Sequence, residues 1–97
     1  MSGQIRMKPE TMRQRSRQAN QYAQNMESLI KSMDQLLTTL KAEWEGDAMA
    51  GYEDRYNKVR PSFTNAKDLL DEVSHNLNET ARIVEETDKN IAAQFRK

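Results

Sequence analysis

Cysteine is absent from the 97 residues, which excludes disulfides and thiolate metal sites and leaves the redox compartment unspecified. There are three glycines and two prolines, so the chain has few places to turn. No apolar run is long enough to cross a bilayer, and the opening stretch MSGQIRMKPE lacks the apolar centre of a signal peptide. Export, if it occurs, is therefore expected by another route and on a folded chain. The formal net charge is +0, so no global basic field exists for nucleic acid. Histidine occurs once, at His75, and no Gly-rich phosphate loop or His–acid metal spacing accompanies it. No catalytic residue, metal, cofactor or small-molecule substrate is expected.

What remains is material for amphipathic helices: 36% apolar and 31% charged residues, in a length that closes one core at most. Met12, Ala19, Met26, Met33 and Leu40 recur every seven residues. Tyr22, Leu29 and Leu36 lie three after members of that set, and Ala23, Ile30 and Leu37 four after. In the second half Met49, Tyr56, Phe63, Leu70, Leu77, Val84 and Ile91 keep the period, with Tyr52, Val59, Ala66 and Val73 three residues on. The spacing predicts two long helices, 9–43 and 47–93. Pro9 suits a first helical turn. Gly46 can supply the left-handed conformation that ends the first helix, and Asp47 can cap the second. Pro61 should bend the second helix without breaking it, because the heptads run through it unchanged.

So short a turn makes the helices antiparallel. Residues 1–43 hold seven Lys/Arg against four Asp/Glu, and residues 44–97 eight against eleven, so the halves are opposite in charge. Trp44 is expected to cover the open end of the hairpin, with Gly46 and Gly51 letting the backbone approach the indole. Both stripes are wider than one helix–helix contact needs, and a lone hairpin would leave large apolar side chains wet at ~1.5–3 kcal/mol each. The expected fold is all-α, an antiparallel helical hairpin dimerising into a four-helix bundle, with itself or a related chain as partner. Its core is expected from Met26, Leu29, Ile30, Met33, Leu36, Leu37 and Leu40 together with Tyr56, Phe63, Leu70 and Leu77. At ~1.5 Å per residue the second helix passes the start of the first near residue 80. The organisation expected is a tail over 1–8, a hairpin over 9–80 with its turn at 44–47, and a helical overhang over 81–97.

A Trp44-Glu45-Gly46 turn at mid-chain, between two amphipathic helices in about a hundred residues, resembles the WXG-hundred family, the substrates of type VII (ESX) secretion. The resemblance covers essentially the whole chain. It implies a small dimeric protein, secreted without a cleavable signal peptide from a bacterium, with a carboxy-terminal export signal read by a membrane-embedded secretion ATPase. Actinobacterial members carry Tyr-x3-Asp/Glu there, whereas no tyrosine follows Tyr56 here. The sequence looks instead like the Gram-positive Firmicute pattern of apolar, x3, acidic, x2, apolar, x3, apolar, which Val84, Asp88, Ile91 and Phe95 match. The resemblance also implies that Trp44 and Gly46 of one copy and the Asp88 arm of the other form one composite signal.

Other classes meet specific obstacles. Asp71-Glu72 and Glu85-Glu86 are sequence neighbours, which do not converge on one substrate from a helix. Arg13, Arg15 and Arg17 form the densest basic cluster, and an antiparallel hairpin brings them near Asp71, Glu72 and Glu79 rather than to nucleic acid. An intracellular coiled-coil adaptor and a membrane-active exported effector are the readings that heptads alone leave open.

Overall fold

The computed structural model describes residues 8–95, and these form two helices, α1 (Pro9–Glu43) and α2 (Asp47–Phe95). Apart from Lys8, the expected tail over 1–8 lies outside the described residues, as do positions 96 and 97 of the overhang. Pro9 opens α1 behind Lys8, which is extended (φ −71°, ψ 152°) and offers no side-chain cap. Glu10 supplies the acid that the first turn favours. Trp44 closes α1 in an extended conformation, donating its backbone N–H to the Leu40 carbonyl at 2.8 Å. The chain then reverses through Gly46, whose φ of +133° an L side chain rarely adopts. Asp47 is the first residue of α2, not its cap, and places its acid in the first turn. Helix α2 runs uninterrupted through Pro61 for 49 residues, two further than the spacing predicted.

The molecule measures 78 × 25 × 14 Å. Two helices side by side account for the width, and the depth is that of a single helix. Its accessible surface is 7829 Å², roughly 2,000 Å² above that of a compact monomer of this mass. There is accordingly little interior. Met12, Ser16, Ala19, Ala23 and Ile30 of α1 and Met49 and Ala81 of α2 are the buried residues.

These positions define the seam. In both helices it consists of the heptad column and the column four residues on. The column three residues on stays outside: Tyr22, Leu29 and Leu36 are 50–58% exposed, and Tyr52, Val59 and Val73 are 39–54% exposed. The reason lies in α2, where the column four residues on reads Glu53, Arg60, Lys67, Ser74, Ala81. Three of these polar side chains find partners across the seam. Glu53 pairs with Lys41 at 3.0 Å, Arg60 with Asp34 at 2.8 Å, and the Ser74 hydroxyl lies 3.0 Å from that of Ser16, which also donates to the Ser74 backbone carbonyl at 2.7 Å. The polar column faces inward and the greasier one outward, an inversion of what a self-sufficient hairpin would do.

The basic cluster does not pair as expected. Arg13 meets Glu85, at 3.0 Å, instead of Asp71, Glu72 or Glu79, and among the described residues Arg15 bonds only to Gln18 within its own helix. Helical side chains lean toward their own N-terminus, so in an antiparallel pair Arg13 and Glu85 lean toward each other across two turns.

Candidate docking surfaces at the free columns and the C-terminal arm

Each long edge of the hairpin has a distinct character. Along one run the interhelical ion pairs Arg13–Glu85, Asp34–Arg60 and Lys41–Glu53. At its strongest point Arg60 grips both carboxylate oxygens of Asp34, at 3.0 and 2.8 Å, and the Tyr56 hydroxyl donates to the same carboxylate. The Arg60 guanidinium first, and Tyr56 second, hold the Asp34 carboxyl at about 2. Burial against the neighbouring helix, then the hydrogen bond to Asp34 and its charge, push the Tyr56 phenol up. This edge is satisfied from within the chain.

The opposite edge is not. It presents the free columns of both helices and, near the turn, a hollow of about 160 Å³ lined by Met33, Leu36, Leu37, Leu40, Tyr52 and Tyr56. Of the expected core, Ile30 is buried, while Met26, Met33, Leu37, Leu40, Tyr56, Phe63, Leu70 and Leu77 are half-buried. Leu29 and Leu36 remain exposed. The expected core is thus covered only in part by the chain's own two helices. Of the buried residues, the expected core contained only Ile30. Met12, Ala19, Ala23 and Met49 lay in the apolar stripes but were not placed in the core. Ser16 and Ala81 lay in neither, their position four residues after a heptad member being the available clue.

The turn carries Trp44, 42% exposed, with its ring tilted 55° against Tyr52 at a centroid separation of 5.8 Å. Trp44 thus leans on α2 while keeping a face open. A Cβ added at Gly46 or Gly51 would meet nothing within 4 Å, so neither glycine is there for close approach to the indole. Gly46 is needed for its backbone angle alone.

Beyond Ala81 α2 has outrun α1. Val84 and Glu85 are still half-buried, and every described residue from Glu86 onward is exposed, Phe95 at 85%. Val84 and Ile91 continue the heptad column, and Asp88 and Phe95 the column four on. These are the columns that face α1 earlier in the helix, so the arm displays a pairing seam from which the neighbour has ended. Glu85 is held by Arg13 and Glu86 by Arg82, at 2.9 Å, whereas Asp88 has no ion pair among the described residues. Trp44 and Asp88 lie at opposite ends of the chain, and one copy does not bring them together. His75 is exposed on the rim of a polar groove with Ser16, Asp71 and Asn78. Among the described residues no group of three potential metal ligands exists, and no helix is long and apolar enough to cross a membrane.

Known proteins share this architecture. A family model described as proteins of 100 residues with WXG (WXG100) matches residues 4–89. Protein YukE of Bacillus subtilis is 34% identical over 96 residues, 99% of this chain and 99% of its own. Type VII secretion system extracellular protein A of Staphylococcus aureus is 28% identical over 91 residues, 94% of each chain. The crystal structure of EsxA from Geobacillus thermodenitrificans superimposes with a TM-score of 0.87 at 40% identity, covering 95% of this chain and 99% of that one.

Proposed function

Since the chain belongs to the WXG100 family, we propose that it is exported by a type VII secretion system, folded, as two copies packed into a four-helix bundle. The relative in Staphylococcus aureus is by its name an extracellular protein of such a system. A role as a carried protein, with no chemistry of its own, accords with this membership. The observation that carries the proposal is the unpaired edge: a hairpin one helix deep, with Leu29, Leu36, Tyr52 and Val59 about half exposed or more, is one layer of a bundle.

In this reading the arm is the part the machinery grips. Val84, Ile91 and Phe95 supply apolar contacts and Asp88 a charge with no ion-pair partner among the described residues. The membrane-embedded secretion ATPase is the partner proposed for it. In an antiparallel dimer each arm emerges beside the turn of the other copy, so Trp44 and Gly46 border it, and the composite signal exists only in the dimer. This distinguishes export from an adaptor role, which would make no use of Asp88.

The experiment is secretion by the native host. Asp88→Ala, or removal of 84–97, is expected to abolish appearance in the medium while the purified variants remain dimeric by sedimentation. Normal export of both variants would remove the arm as the signal. A monomeric wild-type protein at micromolar concentration would remove the bundle.

A further inference from the structure

Beyond Ala81 the columns of α2 that face α1 earlier in the helix lie open: Ile91 is 47% and Phe95 85% exposed, and Asp88 has no ion pair among the described residues. The helix that would cover this seam stops for a definable reason. The ring of Pro9 disfavours helical angles at the residue before it, so α1 does not continue back through Lys8, which is extended at ψ 152°. Upstream the sequence reads Met1-Ser2-Gly3-Gln4-Ile5-Arg6-Met7-Lys8. Its odd positions are Met, Gly, Ile and Met, and its even positions Ser, Gln, Arg and Lys. Strict alternation is the signature of an extended segment with one apolar face, and it is distinct from the heptads of both helices.

We infer that residues 1–7 lie extended along the arm as a strap over its open seam, with Met7 and Ile5 against Val84 and Ile91 and Arg6 at Asp88. Register and length support the fit. The Ser16–Ser74 bond sets residues whose numbers add to 90 level with one another, so Pro9 lies level with Ala81. From Ala81 the arm runs roughly 21 Å to Phe95, and seven extended residues span roughly 23 Å. Within that span Arg6 falls about 10 Å beyond Pro9, and Asp88 about 10 Å beyond Ala81. Ile5 comes within about 2 Å of the level of Ile91, and Met7 within about 2 Å of that of Val84.

Charge agrees. Residues 1–8 hold Arg6 and Lys8 and no acid, whereas residues 84–95 hold Glu85, Glu86 and Asp88 against Lys89. Glu85 and Glu86 are taken up by Arg13 and Arg82, so Asp88 is the acid at the level of the incoming cation. The strap sits on the side of the arm that α1 would occupy, which leaves the other side to border the turn of a second copy. The inference rests on the export reading for its consequence alone: the signal carries its own cover, and the machinery engages an arm from which the strap has been lifted.

The test uses the full chain, which has no native cysteine. Ile5→Cys with Ile91→Cys is expected to close a disulfide under mild oxidation, at every dilution and with the mass of one chain. Ile5→Cys with Ile83→Cys, at an exposed position off the seam, should not. Removing residues 2–7 is expected to speed hydrogen exchange at the amides of 86–95 about tenfold and to leave the hairpin unchanged. Arg6→Glu should give part of that increase, and adding Asp88→Arg should reverse it. Circular dichroism checks that each variant keeps its helices. No disulfide within one chain, or exchange unaltered by the truncation, overturns the strap. A disulfide formed only between two chains overturns it too, assigning the seam to the tail of another copy. These outcomes leave the export reading standing, since Asp88→Ala tests it separately. A strap that holds while Asp88→Ala is exported normally removes the export reading and keeps the strap.

Discussion

At the scale of single residues, the three-residue turn separates two glycines that the sequence presents as equals. Gly46 sits at φ +133°, where a Cβ is strained whatever the space around it, while Gly51 lies inside α2 with nothing near the position of a Cβ. Alanine should therefore act in opposite directions at the two sites. Gly46→Ala is expected to destabilise the chain by ~1–2 kcal/mol, the cost of forcing an L-residue into the left-handed region. Gly51→Ala should stabilise it by roughly 0.5–1 kcal/mol, by removing glycine from a helix interior. Urea unfolding followed by circular dichroism measures both changes, and equal losses at the two sites would contradict this account.

At the scale of elements, the question is why α1 and α2 pair as they do. The period, the helix type, the antiparallel sense and the overhang after residue 80 were all legible in the heptads, since apolar side chains every seven residues have no other regular solution. The rotation of each helix was not. Leu29 and Leu36 look like seam residues by hydrophobicity, and Arg60 and Ser74 do not. Their places are decided by polar contacts across the seam, Arg60 to Asp34 and Ser74 to Ser16, which single-residue hydropathy does not encode. The same limit explains the arm: its spacing was readable, but the hydropathy pattern does not say that Glu85 and Glu86 are taken up by Arg13 and Arg82 while Asp88 has no ion pair among the described residues.

The clasp makes a pH prediction. The Asp34 carboxyl is held at about 2 in the fold, below the ~3.9 of an unfolded chain. A depressed carboxyl contributes stability that is present above its unfolded value and lost as pH falls through the folded one. The contribution of Asp34 should therefore be complete at neutral pH, decline between about 4 and about 2, and vanish below. Asp34→Asn should accordingly lower Tm at pH 7 and leave it unchanged near pH 1.5, with NMR titration of the carboxyl as the direct check.

At the scale of the whole molecule, the hairpin's length and its assembly are coupled through the arm. One copy is 78 Å long, because α2 outruns α1 by about fourteen residues, or roughly 21 Å. If two copies packed with turns at the same end, both arms would project together and the length would stay near that of one chain. With the turns opposed, as in the antiparallel dimer proposed above, the arms leave opposite ends. The dimer should then extend to about 100 Å, adding a second arm's length to the first. Small-angle scattering gives that maximum dimension directly, and a dimer no longer than its protomer would exclude opposed arms. The distinction bears on export, because opposed arms give the bundle two equivalent handles that are too far apart for one recognition site. The machinery would then engage one end at a time. A dimer of wild type with a copy truncated at 84–97, which keeps a single arm, is therefore expected to be exported, and retention of that mixed dimer inside the cell would show that both arms are read at once.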